Sequence, residues 1–248
     1  MRVQSLTLAV AGAALLAPTT LPAAAVPPRE GPLGHGGGAV TATPSREGPL
    51  GHGGGAVTAA DLLDRVRACT QVSRGRYRTD DGARATVPVC ATRQAVFWKA
   101  DLDVDCDGRP TARCNRRTDP LFSADTAFQQ SDGRHLNAET LPYIVIPVQS
   151  GIWDPPAHGV RGGSVAAVIY RGRVQYAVVG DTGPRELIGE ASYATAHGLG
   201  IKVDPRRGGA ASGVTYIVFR GSRVTPIEDH RAAMAEGERL ARRFVGAR

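Results

Sequence analysis

Short apolar runs separated by glycine, proline and asparagine or aspartate turns recur along the chain from residue 85 onward. Runs of this length, rich in β-branched and aromatic residues, are typical of β-strands. They begin near Ala85, Ala95, Tyr143, Val165, Val174, Ile201 and Val214. Seven such runs with turns between them predict a mainly β fold, an antiparallel or mixed β-barrel with a few short helices.

All seven runs have defined bounds. Ala95–Asp105 alternates apolar and polar residues over its second half, and Tyr143–Pro147 ends at its own proline. The runs Gly163–Tyr170 and Val174–Val179 flank the turn Arg171-Gly172-Arg173, which predicts a β-hairpin. Strands are also predicted at 85–90, 199–203 and 214–219, with a mobile loop at 206–213.

Helical spacing of apolar residues occurs in three places. Asp61–Arg67 predicts a short helix that Thr58 caps. The segment 191–196, followed by Gly198, predicts a second short helix with Glu190 at its start. Thr225-Pro226-Ile227-Glu228 reads as a capping box with proline at the first helical position, and predicts a C-terminal helix to about Val245 that supports the fold.

The first 59 residues differ from the rest of the chain. Met1-Arg2, an apolar run and Ala23-Ala24-Ala25 predict a signal peptide over residues 1–25, hence a secreted protein. Residues 26–59 contain the same fourteen-residue sequence twice, REGPLGHGGGAVTA. This glycine-rich repeat has too few apolar residues to form a core, which predicts a disordered linker. Its His35 and His52 lack thiol partners, so we expect no metal site there. Every Phe, Tyr and Trp lies at Tyr77 or later, which places the folded domain at residues 60–248.

Four cysteines in a secreted chain predict two disulfides, for which three pairings are possible. The local pairing, Cys69 with Cys90 and Cys106 with Cys114, is preferred. The chain carries a formal net charge of +7, but its basic residues are scattered and no aromatic stacking motif lies among them. We therefore expect neither nucleic acid nor a membrane as a partner, no cofactor, and a monomer.

The chemistry centres on the stretch from Val174 to Ser192. Asp181 follows an apolar strand, and Glu190 lies nine residues later. Two carboxylates that face each other across a groove can act as general acid and general base. The alternatives are an Asx-turn at Asp181 and a helix-dipole role for Glu190. Asp181-Thr182-Gly183 also matches the aspartic protease triplet, but such enzymes need two copies and only one is present.

The chain resembles the chitosanases of glycoside hydrolase family 75 over about residues 69–219. The motifs that carry the resemblance are Phe97-Trp98-Lys99-Ala100, Asp105-Cys106-Asp107-Gly108, Gly180-Asp181-Thr182-Gly183-Pro184, Ile188-Gly189-Glu190-Ala191-Ser192 and Thr215-Tyr216-Ile217-Val218-Phe219. The resemblance implies an endo-acting, inverting enzyme on chitosan whose catalytic carboxylates match Asp181 and Glu190. Analogy with other inverting glycosidases favours a six-stranded, double-psi-like β-barrel. A non-catalytic polysaccharide-binding barrel is the alternative.

The division of roles between the two carboxylates stays open. Glutamate has the longer reach, and the apolar neighbours Leu187, Ile188 and Tyr193 would raise the pKa of Glu190, which favours Glu190 as the acid and Asp181 as the base. Glu186 is the nearest competitor for either role.

Further candidates concern substrate binding. Alternation puts Asp101, Asp103 and Asp105 on one face of a strand, where they predict a floor that binds amino groups, or else a charged edge strand. Lys99 either positions one of these carboxylates or is solvated. Asp103–Gly108 matches the start of an EF-hand loop, but Cys114 stands where that loop needs glutamate, so no metal is predicted. Trp153, on a Pro-rich loop, is a candidate to pack against a sugar ring, with local packing as the alternative. Tyr193 is a further candidate for substrate binding.

Overall fold

The computed structural model describes residues 55–247. The predicted signal peptide, most of the predicted linker with His35 and His52, and Arg248 lie outside the described residues. The elements in chain order are α1 (Ala59–Asp64), β1 (Thr70–Gln71), β2 (Cys90–Ala91), β3 (Ala95–Asp105), β4 (Tyr143–Pro147), a short 3-10 helix (Pro156–His158), β5 (Val165–Tyr170), β6 (Arg173–Gly183), β7 (Glu190–Ser192), α2 (Tyr193–Gly198), β8 (Ala210–Phe219) and α3 (His230–Gly246).

Six strands close into a barrel in the order β3-β7-β4-β6-β5-β8, and β8 pairs back onto β3. The β3–β7 and β4–β6 pairs are parallel and the other pairs in the barrel are antiparallel. The predicted mainly β, six-stranded barrel with a C-terminal helix is therefore confirmed. Closure leaves no free edge along these six strands, while β1 and β2 extend the sheet from the first half of β3.

The core fills the barrel and the space under α3. All five residues of β4 are buried, and so are Val165–Ile169 in β5, because both faces of these strands are covered. Inside, the Trp98 and Tyr216 rings stack with centroids 5.3 Å apart. Outside, α3 buries Phe244 against Phe219, with ring centroids 5.8 Å apart. This helix supports the barrel, as its apolar face predicts.

The predicted hairpin is confirmed, and its two-residue loop has the backbone angles of a tight β-turn. Tyr170 pairs with Arg173, so that Arg171 and Gly172 alone form the loop, with φ angles of 46° and 78°. Two positive φ angles are the signature of a type I′ turn, whose twist matches that of the flanking strands. The bounds predicted for β3 and β4 are confirmed, as is the Thr58 cap of α1, which forms a reciprocal capping box with Asp61.

Several predicted elements are wrong. The C-terminal helix begins at His230 and not at Pro226, because Asp229 caps it through the N–H of Ala232 (2.9 Å). The carboxylate of Glu228 instead accepts the N–H of Ser131 at 3.1 Å. The run at 85–90 forms one bridge, between Val87 and Tyr77, and joins a strand only at its end, as β2; the run at 199–203 forms a single bridge between Lys202 and Gly209. The predicted loop at 206–213 contributes its last residues to β8.

Both preferred disulfides are present. Cys69 bonds Cys90, and Cys106 bonds Cys114. The first ties the segment after α1 to β2, and the second closes the loop that follows β3. Each joins residues close in sequence, so the local pairing of the four cysteines is confirmed.

A β-bulge at Gly180 sets the direction of the next side chain. Ile144 pairs with Val179 but Val145 pairs with Asp181, so that Gly180 is the extra residue in β6. A bulge of this kind reorients the side chain that follows it. A Cβ at Gly180 would lie 2.5 Å from Cβ of Tyr143 and 2.8 Å from Cδ1 of Leu136. Only glycine therefore fits, and β6 runs two residues beyond Asp181, which lies within the strand and not at its end.

We expect Gly180→Ala to lower the free energy of unfolding by about 1–3 kcal/mol, since the added methyl group meets buried Tyr143 and Leu136. Urea unfolding followed by circular dichroism measures this change. Gly151→Ala is the matched control, because a Cβ there has nothing within 4 Å and should change stability by less than about 0.5 kcal/mol. Equal stability of the two variants would contradict the packing argument.

Candidate active site

One cleft of about 550 Å³ opens where β3 and β6 end and β7 begins. Its wall combines carboxylic side chains with a few apolar ones and one threonine. The lining residues are Asp103, Val104, Asp105, Asp107, Asp119, Leu121, Val145, Asp181, Thr182, Gly183, Pro184, Glu190 and Pro205. Six of them are acidic and none is basic, although the chain as a whole has a net charge of +7. The cleft is therefore a local anionic site that attracts cations.

Strand pairing places the two predicted catalytic carboxylates in one row. Asp181 on β6 pairs with Val145 on β4. The antiparallel pairing of Ile144 with Ala191 then puts Val145 opposite Glu190 on β7. Two strand spacings separate the Cα atoms of Asp181 and Glu190 by about 9–11 Å. Asp181, Val145 and Glu190 all line the cleft, so the two carboxylates face the same space.

Asp181 is only 7% exposed, and its carboxylate is held by backbone donors. Its Oδ1 accepts the N–H of Ala127 and the N–H of Thr182, both at 2.7 Å. Burial raises the pKa of Asp181, while these two N–H groups oppose the rise because they stabilise the charged form. Its Oδ2 accepts no hydrogen bond from the described residues. The carboxylate is thus oriented with one oxygen left for a ligand.

Glu190 lies in a different environment. Burial, and then the negative charges of Asp103, Asp107 and Asp181, raise the pKa of Glu190 to about 7. No N–H or O–H group among residues 55–247 donates to its carboxylate, so nothing compensates for the loss of hydration. Gly183 leaves room for it, since a Cβ there would lie 2.7 Å from Oε2 of Glu190. Glu190 was predicted at a helix start, but it lies on β7, and Ser192 caps α2.

The sequence interpretation missed Asp107 as a site residue. Asp107 lines the cleft, and its Oδ1 accepts the N–H of Ser123 at 2.6 Å. Burial and nearby carboxylates raise the pKa of Asp107 to about 6. The signal was the acidic motif 105–108, but Asp107 follows the end of β3, so the alternation rule could not place it. Asp119 and Leu121, from an irregular loop, carried no recognisable signal.

The three carboxylates predicted to share one face of β3 do not all lie in the cleft. Asp103 and Asp105 line the cleft, but Asp101 does not and is only 4% exposed. A register shift between Ala100 and Leu102 interrupts the regular pairing with β8 just there. Burial, followed by the charge of Asp103, raises the pKa of Asp101 to about 8. Burial raises the pKa of Asp105 well above its ordinary value, with the charge of Asp107 adding to the effect.

Lys99 and Glu186 are placed away from the cleft wall. The Lys99 side chain is exposed, and within the described part of the chain it forms no ion pair. Glu186 is also exposed and lies 3.3 Å from the guanidinium of Arg78. Glu186 therefore does not compete with Asp181 or Glu190 for a role in the cleft.

The two predicted aromatic candidates for substrate binding lie outside the cleft wall. Trp153 is 2% exposed, packs edge to face against Trp98 and donates its indole N–H to Nδ1 of His158 at 3.2 Å. The alternative of local packing is therefore the one that the structure contains. Tyr193 is 6% exposed, and its hydroxyl accepts a hydrogen bond from Arg113 at 2.7 Å. Neither ring lines the cleft, whereas Leu121, 90% exposed, offers an apolar surface at its edge.

Comparison with known proteins identifies relatives of this chain. A family profile described as "Fungal chitosanase of glycosyl hydrolase group 75" matches residues 102–243, more than half of the chain. Three of the similar curated proteins come from two Aspergillus species. An "Endo-chitosanase C" of Aspergillus oryzae is 34% identical over 133 residues, which cover 52% of this chain and 32% of that protein.

The other two relatives match similar stretches. An "Endo-chitosanase" of Aspergillus fumigatus is 32% identical over 102 residues, or 39% of this chain and 43% of that protein. An "Endo-chitosanase B" of Aspergillus oryzae is 32% identical over 134 residues, or 51% and 56% of the two chains. The match thus spans between about a third and just over half of the length of these relatives.

We expect Asp107→Asn to lower the pKa of Glu190 from about 7. The substitution removes one neighbouring negative charge, while burial, the largest cause, stays and keeps the value above the ordinary range. A carbon-detected NMR titration of the glutamate carboxyl groups measures the shift. Asp64→Asn, on the surface of α1, is the control and should leave the titration unchanged. An unchanged or higher value in Asp107→Asn would contradict the proposed electrostatic coupling in the cleft.

Proposed function

Because the chain belongs to glycosyl hydrolase group 75, we propose that it is an endo-chitosanase that hydrolyses the β-1,4 glucosamine linkages of chitosan with inversion. The observation that carries the proposal is the pair Asp181 and Glu190, which face one acidic cleft. The carboxylate of Asp181 accepts two backbone N–H groups, whereas that of Glu190 accepts none from the described residues. The relatives are named as chitosanases, and the matched residues 102–243 include both carboxylates.

The charge of the cleft supports a cationic polysaccharide. Chitosan carries protonated amino groups, and six acidic side chains with no basic one line the cleft. Opposite charges attract more strongly in a partly dehydrated cleft than in water. Asp103 is the exposed member of the group and is the first candidate to bind a sugar ammonium. The open cleft would accept the middle of a chain, as an endo-acting enzyme requires.

Glu190 is the general acid in this proposal. Its pKa of about 7 keeps it protonated in mildly acidic solution, where chitosan is charged. A protonated carboxyl donates to the glycosidic oxygen as the bond breaks, which avoids an unstable alkoxide leaving group. The three acidic neighbours that raise this pKa, Asp103, Asp107 and Asp181, also stabilise positive charge that develops on the sugar ring.

Asp181 is the general base. Two backbone N–H groups hold Oδ1 and favour the ionised form, which leaves Oδ2 to take a proton from water. Inversion needs about 6.5–9.5 Å between the two carboxyl groups, so that a water molecule fits beside the sugar. The Cα atoms lie about two strand spacings apart, and the longer glutamate side chain shortens the gap between the carboxyl groups. This arrangement is compatible with inversion.

We expect Asp181→Asn and Glu190→Gln each to reduce kcat on chitosan by at least about 100-fold, because each removes one proton transfer from the transition state. A reducing-sugar assay measures turnover, and circular dichroism checks that the fold is kept. Glu186→Gln is the matched control and should retain activity, since Glu186 is exposed and outside the cleft wall.

Near-normal turnover by either amide variant would contradict the assignment. Chitosan binding by the unaltered protein with no new reducing ends would instead support the alternative of a non-catalytic binding barrel.

We expect the first product of glucosamine-oligomer hydrolysis to carry the α-anomeric configuration at its new reducing end, because inversion converts a β-linkage to an α-hydroxyl. Proton NMR at early times, before mutarotation, distinguishes the anomers. A β-anomer formed first would show retention, which needs a carboxyl separation of about 5–5.5 Å and would reject the proposed role of Asp181 as base.

A further inference from the structure

Three carboxylates beside the cleft form a compact cluster. Asp80 lies in the turn before β2, and Asp101 and Asp103 lie on β3. One oxygen atom from each lies within 4.8 Å of the other two. Oxygens that share a calcium ion at 2.3–2.6 Å must lie within about 5.2 Å of one another, so the spacing fits a common ion.

Asp101 gives this cluster its second, independent feature. It is 4% exposed, and its Oδ1 has no hydrogen-bond partner among the described residues. The backbone at Gly189 packs directly onto it, since a Cβ there would lie 1.9 Å from Oδ1. Buried polar oxygens are almost always paired, because burial without a partner costs free energy. The unpaired buried oxygen of Asp101, next to two further carboxylates, is therefore a candidate ligand for a cation.

The protein does not supply that cation itself. Within residues 55–247, none of the ion pairs involves Asp80, Asp101 or Asp103. Arg78 lies two residues from Asp80 but pairs with Glu186. The turn at residue 80 and the strand β3 thus bring three acidic groups together without a basic side chain to balance them.

We propose that Asp80, Asp101 and Asp103 bind a calcium ion. The cluster offers carboxylate oxygen and no nitrogen or sulfur, which suits calcium and disfavours zinc. Asp80 and Asp103 are exposed, so water can complete the six to eight oxygen ligands that calcium takes. Three carboxylates in an open site predict a dissociation constant on the order of 10⁻⁴ to 10⁻³ M.

The position of the site gives the ion a structural role. It ties the turn at Asp80 to β3, and Asp103 on β3 pairs directly with Glu190 on β7. A bound ion therefore braces the wall of the cleft and relieves the repulsion among the three carboxylates. Because the ion binds the folded protein, the melting temperature should rise with calcium concentration.

The test is calorimetric titration of the full chain with calcium chloride after removal of metal with EDTA, together with melting curves with and without calcium. We expect one saturable ion, and Asp80→Asn to weaken its binding at least tenfold and remove the rise in melting temperature. Asp81→Asn, the adjacent exposed residue outside the cluster, is the matched control and should bind as the unaltered protein does.

Two further arms make the test decisive. Asp101→Asn, which keeps the buried shape, should also lose binding; if it does not fold, Asp80→Asn in its exposed turn still decides. No saturable binding up to about 10 mM calcium, ten times the weakest affinity expected, would overturn the proposal. Undiminished binding by Asp80→Asn would also overturn it, because the ion would then lie on the cleft carboxylates.

Glucosamine binding that needs Asp80, without calcium binding, would assign the cluster to an ammonium group instead. None of these readouts depends on hydrolysis, so their failure is separate from failure of the proposed activity.

Discussion

Strand pairing across β6, β4 and β7 is the constraint on which the cleft depends. It holds Asp181 and Glu190 on either side of Val145, and the parallel pairing of β7 with β3 places Asp103 next to Glu190. Because each strand belongs to a closed barrel, none can slide without disturbing its neighbours. The positions of the carboxylates are therefore set by backbone hydrogen bonds, and their spacing does not rely on contacts between the acidic groups themselves, which repel one another.

The acidic cleft costs stability that other parts of the molecule must supply. Burial raises the pKa values of Asp105, Asp107, Asp181 and Glu190, and repulsion from neighbouring carboxylates adds to the rise at Asp105, Asp107 and Glu190, so each carboxylate is less stable charged than it would be in water. The buried barrel core, the packing of α3 and two disulfides offset this. Placing poorly hydrated acidic groups on a rigid scaffold is a common feature of active sites, where the same environment serves the chemistry.

The sequence predicted those elements that depend on residues close together in the chain. β3 and β4 have the bounds that their apolar patterns indicated, and the hairpin turn at Arg171-Gly172 follows from two adjacent residues. The two disulfides join cysteines near in sequence. Local signals failed where a distant partner decides the outcome. Glu228 completes a plausible capping box in sequence, but its carboxylate binds Ser131, and α3 begins instead at the Asp229 cap.

The sequence by itself determined the type of fold, the family and the two carboxylates proposed for catalysis, because apolar periodicity and short motifs are properties of neighbouring residues. Only the tertiary structure decided what surrounds them. It buried Trp153 against Trp98, separated Asp101 from the cleft, and brought Asp107 into it. It also brought Asp80 from a distant turn beside Asp101 and Asp103. Burial and proximity depend on which strands pair and where the register shifts, and alternation along a single strand contains no information about either.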